Sequence, residues 1–348
     1  MSLLDVRVLP TALPTAPFPR YWGPKLVADP PLTFSVTRFA LANATALPKP
    51  NPYTIGTLLA ETALQISHLD TRPGTPLRLV SSFNSSSSHI RRFVAEATGL
   101  GICTAVAHQR CGWGGRILNF DSLRTSHWLV AGIGPRPDLA YGTPIGGWVA
   151  GEARGRTDAS RDRMSVEEFD RTVALNSWAS RVGRQPNRRT PKWFMTWSYL
   201  TQSETKVHYY DPGHPFHISD AEAADFIHPV EQALWASEEI GYGRLHGVSL
   251  RGGWRDASPL SEPRERTWLF VGVLAEPIDD LPYLELLQVL SEQDPSVFGG
   301  VEWCLTGRLV CVLARGGDYP PDAAALAELL EDSLRQVQIE RQRHSEND

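Results

Sequence analysis

The chain is poor in the residues that staple or clamp small folds. Its 348 residues include four cysteines, Cys103, Cys111, Cys304 and Cys311, and no Cys-x-x-Cys pair. That spacing excludes a cysteine zinc site and a disulfide scaffold, and it fits reduced thiols in a cytoplasmic protein. No apolar run approaches the roughly 20 residues that cross a bilayer, so no membrane partner is expected. Residues 1–8 lack a basic stretch followed by an apolar core, so no signal peptide is expected. An excess of one charge is missing as well. The 34 basic and 39 acidic residues leave a net charge of −5, which excludes a general polyanion binder. Any nucleic-acid contact has to come from local basic patches. No internal repeat is present.

Hydrophobic residues at 42% and charged residues at 21% describe an ordinary globular chain, long enough for two domains. Ten of the 27 prolines fall within residues 1–53. Repeated proline excludes long helices and central strands there, so 1–53 reads as an extended Pro-rich arm with one strand over 32–41. Residues 54–69 carry Leu58, Leu59, Ala63 and Ile66 at helical spacing. A short strand over 77–82, a serine cluster and a second helix over 89–107 follow. That helix carries Arg91, Arg92 and Glu96. The segments 117–120 and 127–130 read as short strands.

The informative stretch is Gly134-Pro135-Arg136-Pro137-Asp138-Leu139-Ala140-Tyr141, joined through a Pro144/Gly146 turn to Gly147-Trp148-Val149-Ala150-Gly151-Glu152-Ala153-Arg154-Gly155-Arg156. Both halves read as strands of a hairpin. Alternation puts Trp148, Ala150, Glu152 and Arg154 on one face and Val149, Gly151 and Ala153 on the other. Asp138 opposes Glu152 from the neighbouring strand. Two facing carboxylates repel unless a cation sits between them, and hard oxygen ligands suit Mg²⁺ or Mn²⁺. Ser165 and Glu168 have capping-box spacing and open a helix to about Val182, with Phe169, Val173, Leu175 and Trp178 facing inward and Arg171 and Arg181 outside. Strands over 193–200 and 205–210 follow, rich in aromatic and β-branched residues. Beyond residue 218 the pattern is a helix over 221–240, a Gly-rich segment with a strand, a strand over 268–274, a helix over 281–291, a hairpin through Gly307 and a final helix over 322–343.

Pro137-Asp138 followed by Glu152-Ala153-Arg154-Gly155-Arg156 resembles the core motif of the PD-(D/E)XK nuclease superfamily, with Arg154 where the family usually has Lys. The resemblance covers about 77–212. It implies an α/β fold with a restriction-endonuclease-like core, a mixed central sheet flanked by helices, over 54–217. The Pro-rich arm over 1–53 precedes it, and an α+β C-terminal domain over 218–348 serves as a partner or recognition module or mediates homo-oligomerisation. The implied activity is metal-dependent hydrolysis of phosphodiester bonds in DNA or RNA, of the kind used in restriction, repair or phage defence. Asp138 and Glu152 would hold Mg²⁺ or Mn²⁺, with Glu96 (Glu61 second) completing the set. Arg154 would bind the scissile phosphate, since a guanidinium stays protonated and is a poor base. Arg156, Arg184, Arg188, Arg189 and Lys192 would hold the nucleic-acid backbone. The alternative reading is a catalytically inactive member of the fold serving as a scaffold or binding subunit of a larger complex.

Overall fold

A computed structural model describes residues 2–37, 39, 42–43, 55–111, 117–120, 137–142, 148–184, 190–211, 241–260, 266–276, 278, 283–284, 300–306 and 308–345. The fold is mixed α/β, built on two sheets. The larger contains β1 (Ser2–Val8), β2 (Val27–Phe34), β5 (Ile117–Asn119), β6 (Leu139–Gly142), β7 (Trp148–Arg156), β8 (Trp193–Leu200) and β9 (Thr205–Tyr210), in the order β2-β1-β9-β8-β7-β6-β5. A small ribbon pairs β3 (Leu69–Asp70) with β4 (Arg78–Leu79). The second sheet joins β10 (Gly241–Leu245), β11 (Val248–Asp256), β12 (Thr267–Leu274), β13 (Tyr283–Leu284), β14 (Gly300–Thr306) and β15 (Leu309–Arg315), in the order β10-β11-β12-β15-β14-β13. Helices among the described residues include α1 (Ile55–Ser67), α2 (Ser88–Cys111), α3 (Val166–Gly183) and α4 (Ala323–Ser345).

The Pro-rich segment is not an extended arm. β1 pairs in parallel with β9, and β2 closes the sheet as its edge strand. Pro30 and Pro31 are tolerated in β2 because they fall at an edge, where the register against β1 shifts between Leu4 and Val6. The strand expected at 32–41 begins earlier and ends at Phe34. In the second half, the Gly-rich segment forms two strands, β10 and β11, rather than one. Tyr283–Leu284, placed in a helix by its sequence pattern, pairs with β14 instead. The segments 127–130 and 221–240 lie outside the described residues.

Around the hairpin, β5, β6 and β7 form an antiparallel meander, and α3 then returns the chain to β8, which runs parallel to β7. α2 covers one face of β7 and α3 the other. The α2 side is set by glycine. A Cβ on Gly155 would sit 1.7 Å from the Ala95 carbonyl oxygen, and one on Gly99 would sit 2.8 Å from the Gly155 nitrogen. The helix therefore lies against the strand backbone. On the α3 side, Trp148, Ala150, Trp193, Met195 and Trp197 pack with Phe169, Leu175 and Trp178. Val173, expected in this seam, points outward and is 48% exposed; Thr172 is buried in its place.

The C-terminal half is not packed as a separate body. One apolar cluster runs from Leu58, Phe83 and Ile102 through to Val271, Cys311 and Leu313 of the second sheet. Buried Glu302 fastens the join. It accepts from Arg315 Nη1 at 3.1 Å, Ser35 Oγ at 3.3 Å and the Val36 amide at 3.3 Å.

Candidate functional site

Asp138 stands immediately before β6, and the Leu139–Gly151 pairing sets it against Glu152 on β7. The Asp138 amide donates to the Gly151 carbonyl at 3.0 Å, and its Oδ2 accepts from the Ala153 amide at 2.8 Å. The two acidic residues named from the sequence therefore meet across adjoining strands, on the α3 side of β7.

Glu152 is fully buried. Its Oε1 takes Arg154 Nη2 at 2.7 Å and, from α3, Arg171 Nε at 2.7 Å and Nη2 at 2.5 Å. Arg154 Nη1 also lies 3.9 Å from Asp138 Oδ2, so this guanidinium sits between the two carboxylates. Glu152 Oε2 is buried without a hydrogen-bond partner among the described residues. Burial, and then the neighbouring Asp138 charge, push the Glu152 carboxyl up to about 8, against the pull of both arginines. Burial also raises Asp138, opposed by the Ala153 amide and by Arg154.

Arg171, expected on the outside of the helix, instead turns inward to Glu152. It occupies the position between Glu168 and Leu175 at i+3 and i−4, which is the buried face of α3, and that spacing was the available signal. Its side chain is 19% exposed and spends its charge on Glu152.

Glu96 is not brought to the pair. It lies on α2, across β7 from Glu152, and its exposed carboxylate pairs with Arg92 Nε at 2.9 Å. Glu61 lies on α1, which packs against the second sheet. Among the described residues no group of three or more His, Cys, Asp or Glu side chains converges on a common point. Two carboxylates, one with a buried oxygen that has no partner among the described residues, are hard oxygen ligands of the kind that suits Mg²⁺ rather than zinc. Mg²⁺ keeps several waters and takes one or two protein carboxylates together with substrate phosphate.

The expected basic patch is divided. Arg156, on the Glu152 face of β7, pairs with Glu167 at the start of α3 and lies over the Trp197 ring at 5.4 Å. Arg184 caps the other end of this 18-residue helix, about 27 Å away at 1.5 Å per residue. Lys192 pairs with Asp211 at 3.5 Å. Arg188 and Arg189 lie outside the described residues. Lys206 on β9 is held by Asp162 at 3.3 Å and Glu204 at 3.4 Å.

A second buried polar chain lies beside the site. His208 Nδ1 is 2.6 Å from Glu168 Oε1, and its Nε2 is 2.7 Å from Ser160 Oγ. Glu168 also completes the capping box with Ser165, so this chain fixes the start of α3 and the 157–163 loop together.

In comparisons with known proteins, no family model, no curated protein and no solved structure matches the chain.

Proposed function

We propose that the chain is a nuclease of the restriction-endonuclease-like class that hydrolyses phosphodiester bonds in DNA. One observation carries the reading: Asp138 and Glu152 converge from adjoining strands with Arg154 between them, and one buried Glu152 oxygen has no partner among the described residues. The element order supports it. A helix precedes the hairpin, and a helix and a strand parallel to β7 follow it, in a mixed sheet. These are the features that the PD-(D/E)XK resemblance implies.

In this reading Asp138 and Glu152 hold Mg²⁺ or Mn²⁺. A bound ion would supply an activated water and neutralise charge on the attacked phosphate. Arg154, 38% exposed, has donors left over after its bonds to Glu152 and the Ala153 carbonyl and directs them at a phosphate oxygen. Arg171 holds Glu152 in position from behind. Arg154 does not take the proton from water, because a guanidinium remains charged.

Purified protein is incubated with plasmid and linear DNA and Mg²⁺ or Mn²⁺, beside Asp138→Ala and Glu152→Ala. Cleavage by the wild type that disappears in both variants is the expected result. No cleavage with either metal overturns the reading.

A scaffold reading has its own support. Two arginines already neutralise Glu152, so the carboxylate pair is held together without a metal. The two readings separate in thermal melts. A metal that binds the folded chain raises Tm in proportion to the logarithm of its concentration. A Mn²⁺-dependent rise that is lost in Glu152→Gln favours the nuclease, and identical melts favour the scaffold.

A further inference from the structure

Beyond the carboxylate pair, β7 leads into a cavity of about 170 Å³ at the N-terminal end of α3. Trp197 and Tyr199 of β8 form its floor, the 157–163 loop forms one wall, and Arg20 and Tyr21 form another. Four arginines line it, Arg20, Arg156, Arg161 and Arg163, against two acids, Asp158 and Glu167. This is a positive pocket in a chain whose net charge is −5.

Cations and aromatic faces alternate around it. Arg161 lies over the Tyr21 ring at 4.8 Å, and Arg156 over Trp197 at 5.4 Å. Tyr21 and Trp22 are 62% and 77% exposed, an uncommon state for two adjacent large aromatics. The walls are built rather than loose. Ser160 is tied to His208, Arg163 Nη1 donates to the Gly23 carbonyl at 2.9 Å, and the Met164 amide donates to the Pro24 carbonyl at 3.0 Å. Asp162 takes a left-handed backbone at φ 51° and accepts from the Leu26 amide through its carbonyl at 3.0 Å.

An exposed tyrosine beside several guanidinium groups suits a flat ring carrying a phosphate. The cavity is too small for a duplex. Arg154 and Arg156 share one face of β7 and stand about 6.7 Å apart along the strand, so a chain of phosphates can run from the carboxylate pair into the pocket. We propose that this cavity takes one nucleotide of a single-stranded nucleic-acid segment next to the bond being cut. The proposal rests on the nuclease reading for the position of that bond, but binding is measured without cleavage.

The test uses a fluorescein-labelled dT decamer and a ten-base-pair duplex in EDTA, read by anisotropy, with full-length protein. The wild type is expected to bind the decamer at least tenfold more tightly than the duplex. Tyr21→Ala and Arg161→Ala, both exposed, are each expected to weaken decamer binding about tenfold. Decamer binding unchanged in both variants, or a preference for duplex, overturns the proposal. If binding follows the prediction while neither plasmid nor the single-stranded decamer is cut with Mg²⁺ or Mn²⁺, the pocket stands and the hydrolytic reading falls. If cleavage is normal and both variants bind like wild type, the pocket falls and the hydrolytic reading stands.

Discussion

Arg171 Nε on α3 donates to Glu152 Oε1 on β7 at 2.7 Å, and this contact opposes the burial that pushes the Glu152 carboxyl up. Removing one partner of a buried ion pair costs about 3–5 kcal/mol, because the other is left without compensation. Arg154 retains part of that compensation, so Arg171→Met is expected to destabilise the fold by about 3 kcal/mol. Glu152→Gln with Arg171→Met in the same chain is expected to recover more than half of the loss. Urea denaturation of the two single variants and the double variant gives the coupling.

Arg154→Lys tests the departure from the family motif. A lysine ammonium is compact and its pKa shifts readily on burial, so it can orient or deprotonate water. Plasmid cleavage by this variant is expected to equal or exceed wild type. A loss as deep as in Asp138→Ala would show that the guanidinium has a required role of its own.

Glu302 carries a pH dependence. Burial pushes its carboxyl up, but the opposing causes, Arg315 first among them, together outweigh that and leave it below its ordinary value of 4.5. A carboxylate with a depressed folded pKa binds fewer protons than its unfolded counterpart. Its stabilisation is therefore fully present above pH 4.5 and is lost as pH falls through the depressed value. Glu302→Gln is expected to lower stability at pH 7 by about 3 kcal/mol. It should also flatten the decline of stability below pH 4.5, as measured by urea midpoints across the range.

Gly155→Ala probes the approach of α2. The added Cβ would lie 1.7 Å from the Ala95 carbonyl oxygen, a backbone atom that moves only if the helix moves. A loss of about 3 kcal/mol is expected, at the upper end of overpacking costs. Gly243→Ala has open space at its Cβ and is expected to stay within about 0.5 kcal/mol of wild type. Thermal melts of the pair check both.

Much of the site was legible because its spacing is local. Strand alternation over 148–156 put Glu152 and Arg154 on one face, and the hairpin put Asp138 opposite. The capping box at Ser165 fixed the start of α3, and β8 and β9 have the bounds read from their β-branched and aromatic content. Glu96 could not be judged in this way. Whether a helix lies over the same face of β7 as Glu152 depends on Gly151 and Gly155, which admit α2 to the opposite face. Arg171 was missed because arginine on an amphipathic helix normally faces water, and only a buried partner on another element reverses that preference.

The amino-acid sequence by itself determined the local periods, the helix start at Ser165 and the opposition of Asp138 to Glu152, since these follow from 3.6-residue and two-residue repeats within short segments. Tertiary structure alone decided that β1 pairs with β9, some 200 residues away, and that Arg171 grips Glu152. It also set Arg20 and Tyr21 against the 157–163 loop. Those pairings depend on which surfaces the whole chain buries together, and no short window of residues encodes that choice.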